Sequence, residues 1–364
     1  MMSDKNCLFI AAMLICLLFL PIGCGPSAKQ TAGVETCKTP KPELEKVVVE
    51  TKPEPEKVVE TKPEPEKAVV KLALNFKPND VSTYKVITES RKSVSWEGPV
   101  SSKPKAFKGG ETGDRSEITF TQQIKSVDEA GNATAQITIK KIKYLANIRE
   151  GVAIDFDSSR EKDKADPMNS LTGQSYSIKL TSAGQVVAVI DTRDALGAIK
   201  GDSASAKTAR SLIGDELIKQ RHSLPALPAA EKSSVSKGES WSTLKSFDFG
   251  MLGAKSYERI YKLARIEDSD KGKVVVAEMD AVPSVDKAAE QSPSGGFLSK
   301  LFDNTEKYTG RLTMNLTTGK VGEYREELKS EWLAVDPESA KKPDEEPSAL
   351  RMKTLRLYQI EKID

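Results

Sequence analysis

The sequence has a single histidine and four cysteines, and all four cysteines lie within the first 37 residues. Cys7 and Cys16 fall in an N-terminal apolar run, and Cys24 and Cys37 follow shortly after it. Structural zinc sites usually take four Cys or His ligands. The long remainder of the chain therefore predicts no zinc site, and no intramolecular disulfide in the folded part.

Excess charge of one sign is also lacking, because 55 Lys and Arg residues nearly balance 53 Asp and Glu residues. Aromatic residues make up 6% of the chain, and no basic stripe interleaves with them. No glycine-rich phosphate loop is present. These absences argue against nucleic acid as a partner and predict no cofactor.

What is present begins with an export signal over residues 1–23. A weakly basic start with Lys5 precedes an uncharged run from Cys7 to Leu20 and a small-residue exit at Gly23. A helix of about 14 residues, rising about 1.5 Å each, falls short of a hydrocarbon core of about 30 Å. A permanent membrane span is the alternative.

The segment resembles bacterial lipoprotein signal peptides, in which the cysteine after the cleavage site carries diacylglycerol and an N-acyl chain. Pro21 stands where that pattern usually has leucine. The resemblance implies a mature protein anchored to a cell-envelope membrane through lipid on Cys24. Gly25 follows in place of a retention aspartate, which favours the periplasmic side of the outer membrane.

Residues 24–70 are predicted to be a lipidated N-terminus and a disordered tether. Three related units rich in Pro, Glu, Lys and Val occupy residues 42–52, 53–62 and 63–70. Proline at this density favours extended polyproline II. At about 3.1 Å per residue, such a segment could reach about 140 Å.

The rest of the chain is predicted to be mainly β, with two duplicated antiparallel units at residues 71–230 and 231–364. Apolar residues at period two lead into glycine turns at Gly131 and Gly184 in the first unit, and at Gly272 and Gly319 in the second. The two pairs are 53 and 47 residues apart. We expect curved, half-barrel-like sheets, with a further strand at 72–76 and one connecting helix from Asp202 or Ser203 to about Arg221.

Several motifs together resemble an uncharacterised family of bacterial envelope lipoproteins, known as a domain of unknown function. They are the stretch 76–80 with Tyr84, the stretch 155–158, the turn 180–184, and Leu227-Pro228 ahead of 238–241. The resemblance covers about residues 71–364 and implies no activity. At the level of the fold, the predicted sheets are also similar to LolA-like carriers, which hold acyl chains in a concave face.

Two stretches could carry chemistry. Gly201-Asp202-Ser203 together with His222 could form the nucleophile and base of a Ser-His hydrolase. The alternative is that Asp202 and Ser203 only cap a helix. Oxygen-bearing side chains at alternate positions resemble a calcium loop, although Arg160 stands where its turn needs glycine. The weak calcium candidates are Asp155, Asp157, Asp163 and Asp166.

An apolar segment near the C-terminal third offers a contact surface. Its large residues are Phe297, Leu298, Leu301 and Phe302, at a spacing that makes one face of a helical turn. Either it closes the second β unit or it contacts an apolar ligand, a partner or a bilayer.

Two functional classes remain. The first is a non-catalytic binding or structural protein of the envelope, with a protein, polymer or lipid as its ligand. The second is an envelope hydrolase. We favour the non-catalytic class, because no convincing nucleophile and base are present.

Overall fold

A computed structural model describes residues 69–149, 151–270, 272–284, 301–337, 339–341 and 346–363, all within one compact unit. Residues 1–68, with the signal segment and most of the predicted tether, lie outside them. The predicted end of the tether at residue 70 is wrong, because Val69 and Val70 already belong to the first strand, Val69–Lys71. Fourteen strands and three short α-helices make up the described part, with short 3-10 turns between them. The predicted fold class, mainly β and antiparallel with few helices, is confirmed.

The strands are long, and most follow one another as a meander. Their bounds are β1 Val69–Lys71, β2 Val81–Glu97, β3 Gly110–Val127, β4 Ala133–Arg149, β5 Gly151–Asp157, β6 Ser175–Leu180, β7 Val186–Asp191, β8 Ser234–Ser236, β9 Ser240–Asp248, β10 Ala254–Ser269, β11 Gly272–Ser284, β12 Asp303–Asn315, β13 Lys320–Val335 and β14 Ala349–Lys362.

Twelve of these strands form a single antiparallel sheet. Its order is β7-β6-β4-β3-β2-β14-β13-β12-β11-β10-β9, with β5 paired to β4. The last strand, β14, pairs along its whole length with β2 and so fuses the two halves of the chain into one sheet. The sheet is open, because β7 and β9 form its two edges. The proposed duplication of the halves stays a prediction.

The half of the sheet from β9 to β14 curls strongly. In a flat sheet, β9 and β14 would be about 24 Å apart at about 4.8 Å per strand. Nevertheless, Arg356 Nη2 on β14 donates to the carbonyl oxygen of Asp248 on β9 at 2.8 Å. The guanidinium also lies over the rings of Phe247 and Phe249. This half therefore has a concave face, which we call the inner face of the sheet.

Three helices cover the inner face of the other half. They are α1 Arg193–Ala198, α2 Ala204–Leu212 and α3 Asp215–His222. The single predicted helix from Ser203 to Arg221 is wrong, because the chain breaks at Ile213 and Gly214 and restarts as α3. Gly214 has the extended backbone of an N-cap residue, so it separates the two short helices.

The predicted strand at 72–76 is also wrong. Residues 72–80 instead cross the end of the sheet where the glycine turns lie, and we call this segment the strap. Leu74 N donates to Ser182 O at 2.8 Å and Asn75 N to Gly319 O at 3.1 Å. The strap therefore ties the β6–β7 turn to the β12–β13 turn. It follows directly on β1, which pairs with β8.

Candidate functional site

Side chains of the described residues pack closely on much of the inner face. In the curled half, five rings contact one another at centroid distances of 5.0 to 6.4 Å; they belong to Phe247, Phe249, Tyr257, Tyr308 and Trp332. Under the strap, a cavity of about 40 Å³ remains between Leu74, Tyr84 and His222. Sites for drug-sized ligands are usually about 300 to 1,000 Å³. This cavity is far smaller than that.

A buried polar network also occupies the curled inner face. Arg259 Nη1 donates to Glu326 Oε2 at 3.0 Å, and both side chains are buried. Tyr308 and Tyr324 donate their hydroxyls to the same oxygen at 2.9 and 2.7 Å. Burial raises the pKa of the neighbouring Tyr261 to about 12. The network therefore holds its phenols protonated and joins β10, β12 and β13.

The opposite face, which we call the outer face, carries an open groove of about 500 Å³. It crosses β3, β2, β14, β13 and β12 near the middle of the sheet. Its volume lies within the usual range for ligand sites. The residues that line it are Arg91, Ser93, Glu111, Thr305, Glu306, Lys307, Lys329, Ser330, Glu331, Lys353, Thr354 and Leu355.

Strand register places three cations of the groove in one row. Arg91 on β2 is opposite Leu355 on β14, Leu355 is opposite Lys329 on β13, and Lys329 is opposite Lys307 on β12. Side chains of directly opposite residues point to the same side of an antiparallel sheet. We call Arg91, Leu355, Lys329 and Lys307 the cation row. Lys353 lies beside the cation row, two positions from Leu355 along β14 and on the same face.

Three acidic residues line the groove, and each has a basic partner. Glu306 is adjacent to Lys307 along β12, so its side chain points to the inner face, where it pairs with Lys255. Glu111 lies 3.5 Å from Arg91, and Glu306 accepts from Lys255 Nζ at 2.5 Å. Glu331 is ion-paired with Arg351 and lies 3.7 Å from Lys353. In contrast, Lys307 makes no ion pair or hydrogen bond with the part of the chain that the structure describes.

The residues proposed for a hydrolase have separate structural roles. Ser203 Oγ accepts the backbone N–H of Ala206 at 3.2 Å and so caps α2. His222 is buried at the end of α3, where its Nε2 lies 2.6 Å from Tyr176 Oη. Burial, and then the adjacent Arg221, hold the pKa of His222 well below its usual value. No contact between Ser203 and His222 is among those made by the described residues.

Arg160 occupies the centre of the candidate calcium loop. It donates to Asp155 Oδ2 at 2.9 Å and to Asp163 Oδ2 at 2.6 Å. Asp157 accepts from Ser159, and Asp166 caps a 3-10 turn by accepting from Met168 N at 2.8 Å. A guanidinium thus takes the charge that a bound cation would supply. Within the described ranges, no group of three or more acidic, His or Cys side chains could hold a metal ion.

The other candidate residues lie partly or wholly outside the described residues. Cys24, Phe297 and Leu298 are outside them. Leu301 is exposed, whereas Phe302 packs against the core. For the described residues, no helix is long and apolar enough to span a membrane.

The sequence interpretation missed the outer groove. Its residues fall in short polar runs, such as 305–307 and 329–331, and nothing in those runs distinguishes a groove from an ordinary exposed strand. The alignment of Lys307 with Lys329 could not be predicted from the Gly319 turn alone, because a bulge between Thr313 and Met314 shifts the register of β12 and β13 by one residue. Leu355 and Arg91 come into the row through the pairing of β14 with β2, which no local pattern reveals.

Comparison with known proteins identifies a family. The model of a family of unknown function, DUF6263, matches residues 130–321, which is more than half of the chain. A search among curated proteins finds no significant match.

Two solved structures are similar in part. One describes lipid–protein interactions in lipovitellin, with 11% identity, a TM-score of 0.41, and coverage of 80% of this chain but 26% of that one. The other is DynF from the dynemicin biosynthesis pathway of Micromonospora chersina, with 7% identity, a TM-score of 0.17, and coverage of 82% and 88%. On the extent of the family match, the chain belongs to DUF6263, a family of unknown function.

Proposed function

We propose that the protein is a non-catalytic binding protein of the bacterial cell envelope, held at a membrane by lipid on Cys24, which binds a polar ligand in the outer groove. The observation that carries the binding role is the contrast between the two faces. The cavity under the strap on the inner face has about 40 Å³, whereas the outer groove has about 500 Å³ lined by charged side chains.

The anchoring part of the proposal rests on the sequence. The export signal, the cysteine at its end and the Pro-rich tether follow one another in the order that a lipoprotein needs. Two acyl chains give stable attachment, whereas one gives only marginal binding. The folded unit begins immediately after the tether, at β1. A tether of this length would let the groove reach material well away from the membrane surface.

The non-catalytic part rests on how the candidate nucleophile and base are used. A general base must lie within about 3.2 Å of the proton it removes, directly or through one water. His222 Nε2 is instead bonded to Tyr176, and Ser203 is used as a cap. Both residues therefore have a structural reason to be present.

The test is co-sedimentation of the mature chain with purified, insoluble cell-wall material. We expect the protein to pellet with the wall and to release no soluble fragments from it. The matched control is the same wall material with the Ser203→Ala variant, which should pellet equally. Release of fragments by the natural chain and not by this variant would favour the hydrolase. Failure to pellet with any envelope fraction would contradict the binding role.

An apolar-ligand carrier was also expected from the sequence. Native mass spectrometry of the Cys24→Ser protein, purified gently from the periplasm, tests it, because a non-covalently bound lipid adds a defined mass that is lost on denaturation. A bound lipid of constant mass would favour the apolar-ligand carrier over the polar-ligand protein proposed here.

A further inference from the structure

The cation row concentrates like charges where the fold does not require them. Lys307 and Lys329 are directly opposite on β12 and β13. Such residues have Cβ atoms about 4.5 to 5.5 Å apart, and like charges there are destabilising. Lys329 is relieved in part by an ion pair with Glu327, whereas Lys307 has no partner among the described residues. The repulsion between Lys307 and Lys329 slightly destabilises the fold, so folding alone does not explain why both are lysines.

The carboxylates around the groove cancel only part of this charge. Glu89 accepts from Arg91 Nε at 3.0 Å, and Glu327 is ion-paired with Lys329. The carboxylates of Glu111, Glu306 and Glu331 are each engaged by an arginine or lysine. Two of those partners, Lys255 and Arg351, are not among the groove's lining residues. Arg91, Lys329 and Lys353 each have a carboxylate partner, whereas Lys307, at the β12 end of the groove, has none among the described residues.

The shape of the row favours a long ligand over a compact one. From Arg91 to Lys307 the row crosses three strand spacings, which is about 14 Å. A single small anion would contact one cation or two neighbours. A chain of repeated anionic groups lying across the strands would contact all three, over a floor that includes the uncharged Leu355 and Ser93. Arg and Lys side chains bind phosphate and carboxylate oxygens through charge-assisted hydrogen bonds.

We therefore infer that the outer groove binds a linear polyanion, lying across β2, β14, β13 and β12 along Arg91, Lys329 and Lys307. The inference rests on the binding role proposed above and gives its ligand a chemical class. Lys353, beside the row, would add a fourth contact.

The experiment measures binding of the mature chain to inorganic polyphosphate by isothermal titration calorimetry at several salt concentrations. The test variant is Lys307→Gln with Lys329→Gln. The matched control is Lys237→Gln with Lys262→Gln, which removes the same charge from exposed residues away from the groove. We expect binding by the natural chain and the control, and affinity about tenfold weaker in the test variant. The slope of log affinity against log salt should fall by about one per lysine removed.

Thermal unfolding shows whether a loss of binding is caused by a loss of folded protein. Since the test variant removes cross-strand repulsion, its melting temperature should equal or exceed that of the natural chain. Equal affinity of the test variant and the natural chain would overturn the inference, as would equal loss in both double variants. Binding to anionic phospholipid vesicles but not to polyphosphate would overturn it in favour of a membrane surface.

The outcomes also separate this inference from the proposed function. If the natural chain pellets with cell-wall material but does not bind polyphosphate, the binding role stands and the polyanionic ligand is refuted. A chain that binds neither contradicts both.

Discussion

The most conspicuous buried polar side chains on the inner face have close partners, and this pairing gives them a structural role. Removing one member of a buried ion pair usually destabilises a protein by about 3 to 5 kcal/mol, because the other charge is left buried. Arg259 and Glu326 are such a pair, supported by two phenol hydroxyls. His222, the last residue of α3, and Tyr176 form a buried hydrogen-bonded pair without a charge.

The single histidine predicts a measurable dependence of stability on pH. Arg221 Nη1 lies 3.4 Å from Tyr176 Oη as a donor, which directs the phenol proton toward His222 Nε2 and keeps the ring neutral. The pKa of His222 in the folded state is lowered by burial and by Arg221, whereas the unfolded chain has the ordinary value of 6.5. Below that pH the unfolded state binds the additional proton. Stability should therefore be retained above about pH 6.5 and lost as the pH falls further.

Urea unfolding at pH 7.5, 6.5 and 5.5 measures this effect. The comparison is with His222→Gln, which can still accept from Tyr176 but cannot titrate. The difference in unfolding free energy between the two proteins should narrow as the pH falls, by at most about 1.4 kcal/mol per pH unit. Parallel curves for the two proteins would show that His222 does not govern the response.

At the scale of elements, the strap and the turns that it touches depend on one glycine. Gly319 has φ +66°, and a Cβ added there would lie 2.8 Å from Asn75 N in the strap. Gly131 has a similar φ of +78°, but an added Cβ would meet nothing within 4 Å. The two turns therefore differ in the approach of the strap and not in backbone conformation.

This difference predicts unequal effects of the same substitution. Gly131→Ala should lower the unfolding free energy by about 1 to 2 kcal/mol through backbone strain alone. Gly319→Ala should lower it by about 1 to 3 kcal/mol more, because the strap must also move. Equilibrium urea unfolding of both variants measures the difference. Equal losses would mean that the strap does not press on the β12–β13 turn.

The same elements show which features the sequence determines locally. Period-two alternation and the glycines themselves predicted the turns at Gly131, Gly184, Gly272 and Gly319, because both signals act within a few residues. The structure gives all four glycines a positive φ. The strap has an apolar pattern like that of a strand, yet its N–H groups bond to two distant turns. The break at Gly214 was missed because the apolar positions on either side keep a helical spacing. Pairing of β2 with β14 joins the ends of the folded chain, and no pattern within a few residues encodes it.

At the scale of the whole molecule, the proposed function requires that one cysteine be modified and the other not. Cys24 and Cys37 are 13 residues apart in the same polar segment, so Cys37→Ser is a close control for Cys24→Ser. In a bacterial host fed an alkyne-tagged fatty acid, the natural chain and Cys37→Ser should be labelled and recovered with membranes. Cys24→Ser should be unlabelled. If its signal is still cut, the protein should be recovered in the periplasm without lipid, because the tether's mixed Lys and Glu residues give little attraction to a membrane.

The same experiment tests ligand binding as well as the location of the protein in the cell. The Cys24→Ser protein keeps every residue of the outer groove, so it should bind its ligand with the same affinity in solution as the natural chain. In cells it should fail to hold that ligand near a membrane. Labelling of Cys24→Ser, or membrane recovery without any label, would contradict the lipid anchor. A signal that stays uncut in the natural chain would favour the membrane-span alternative, in which residues 7–20 hold the protein without lipid.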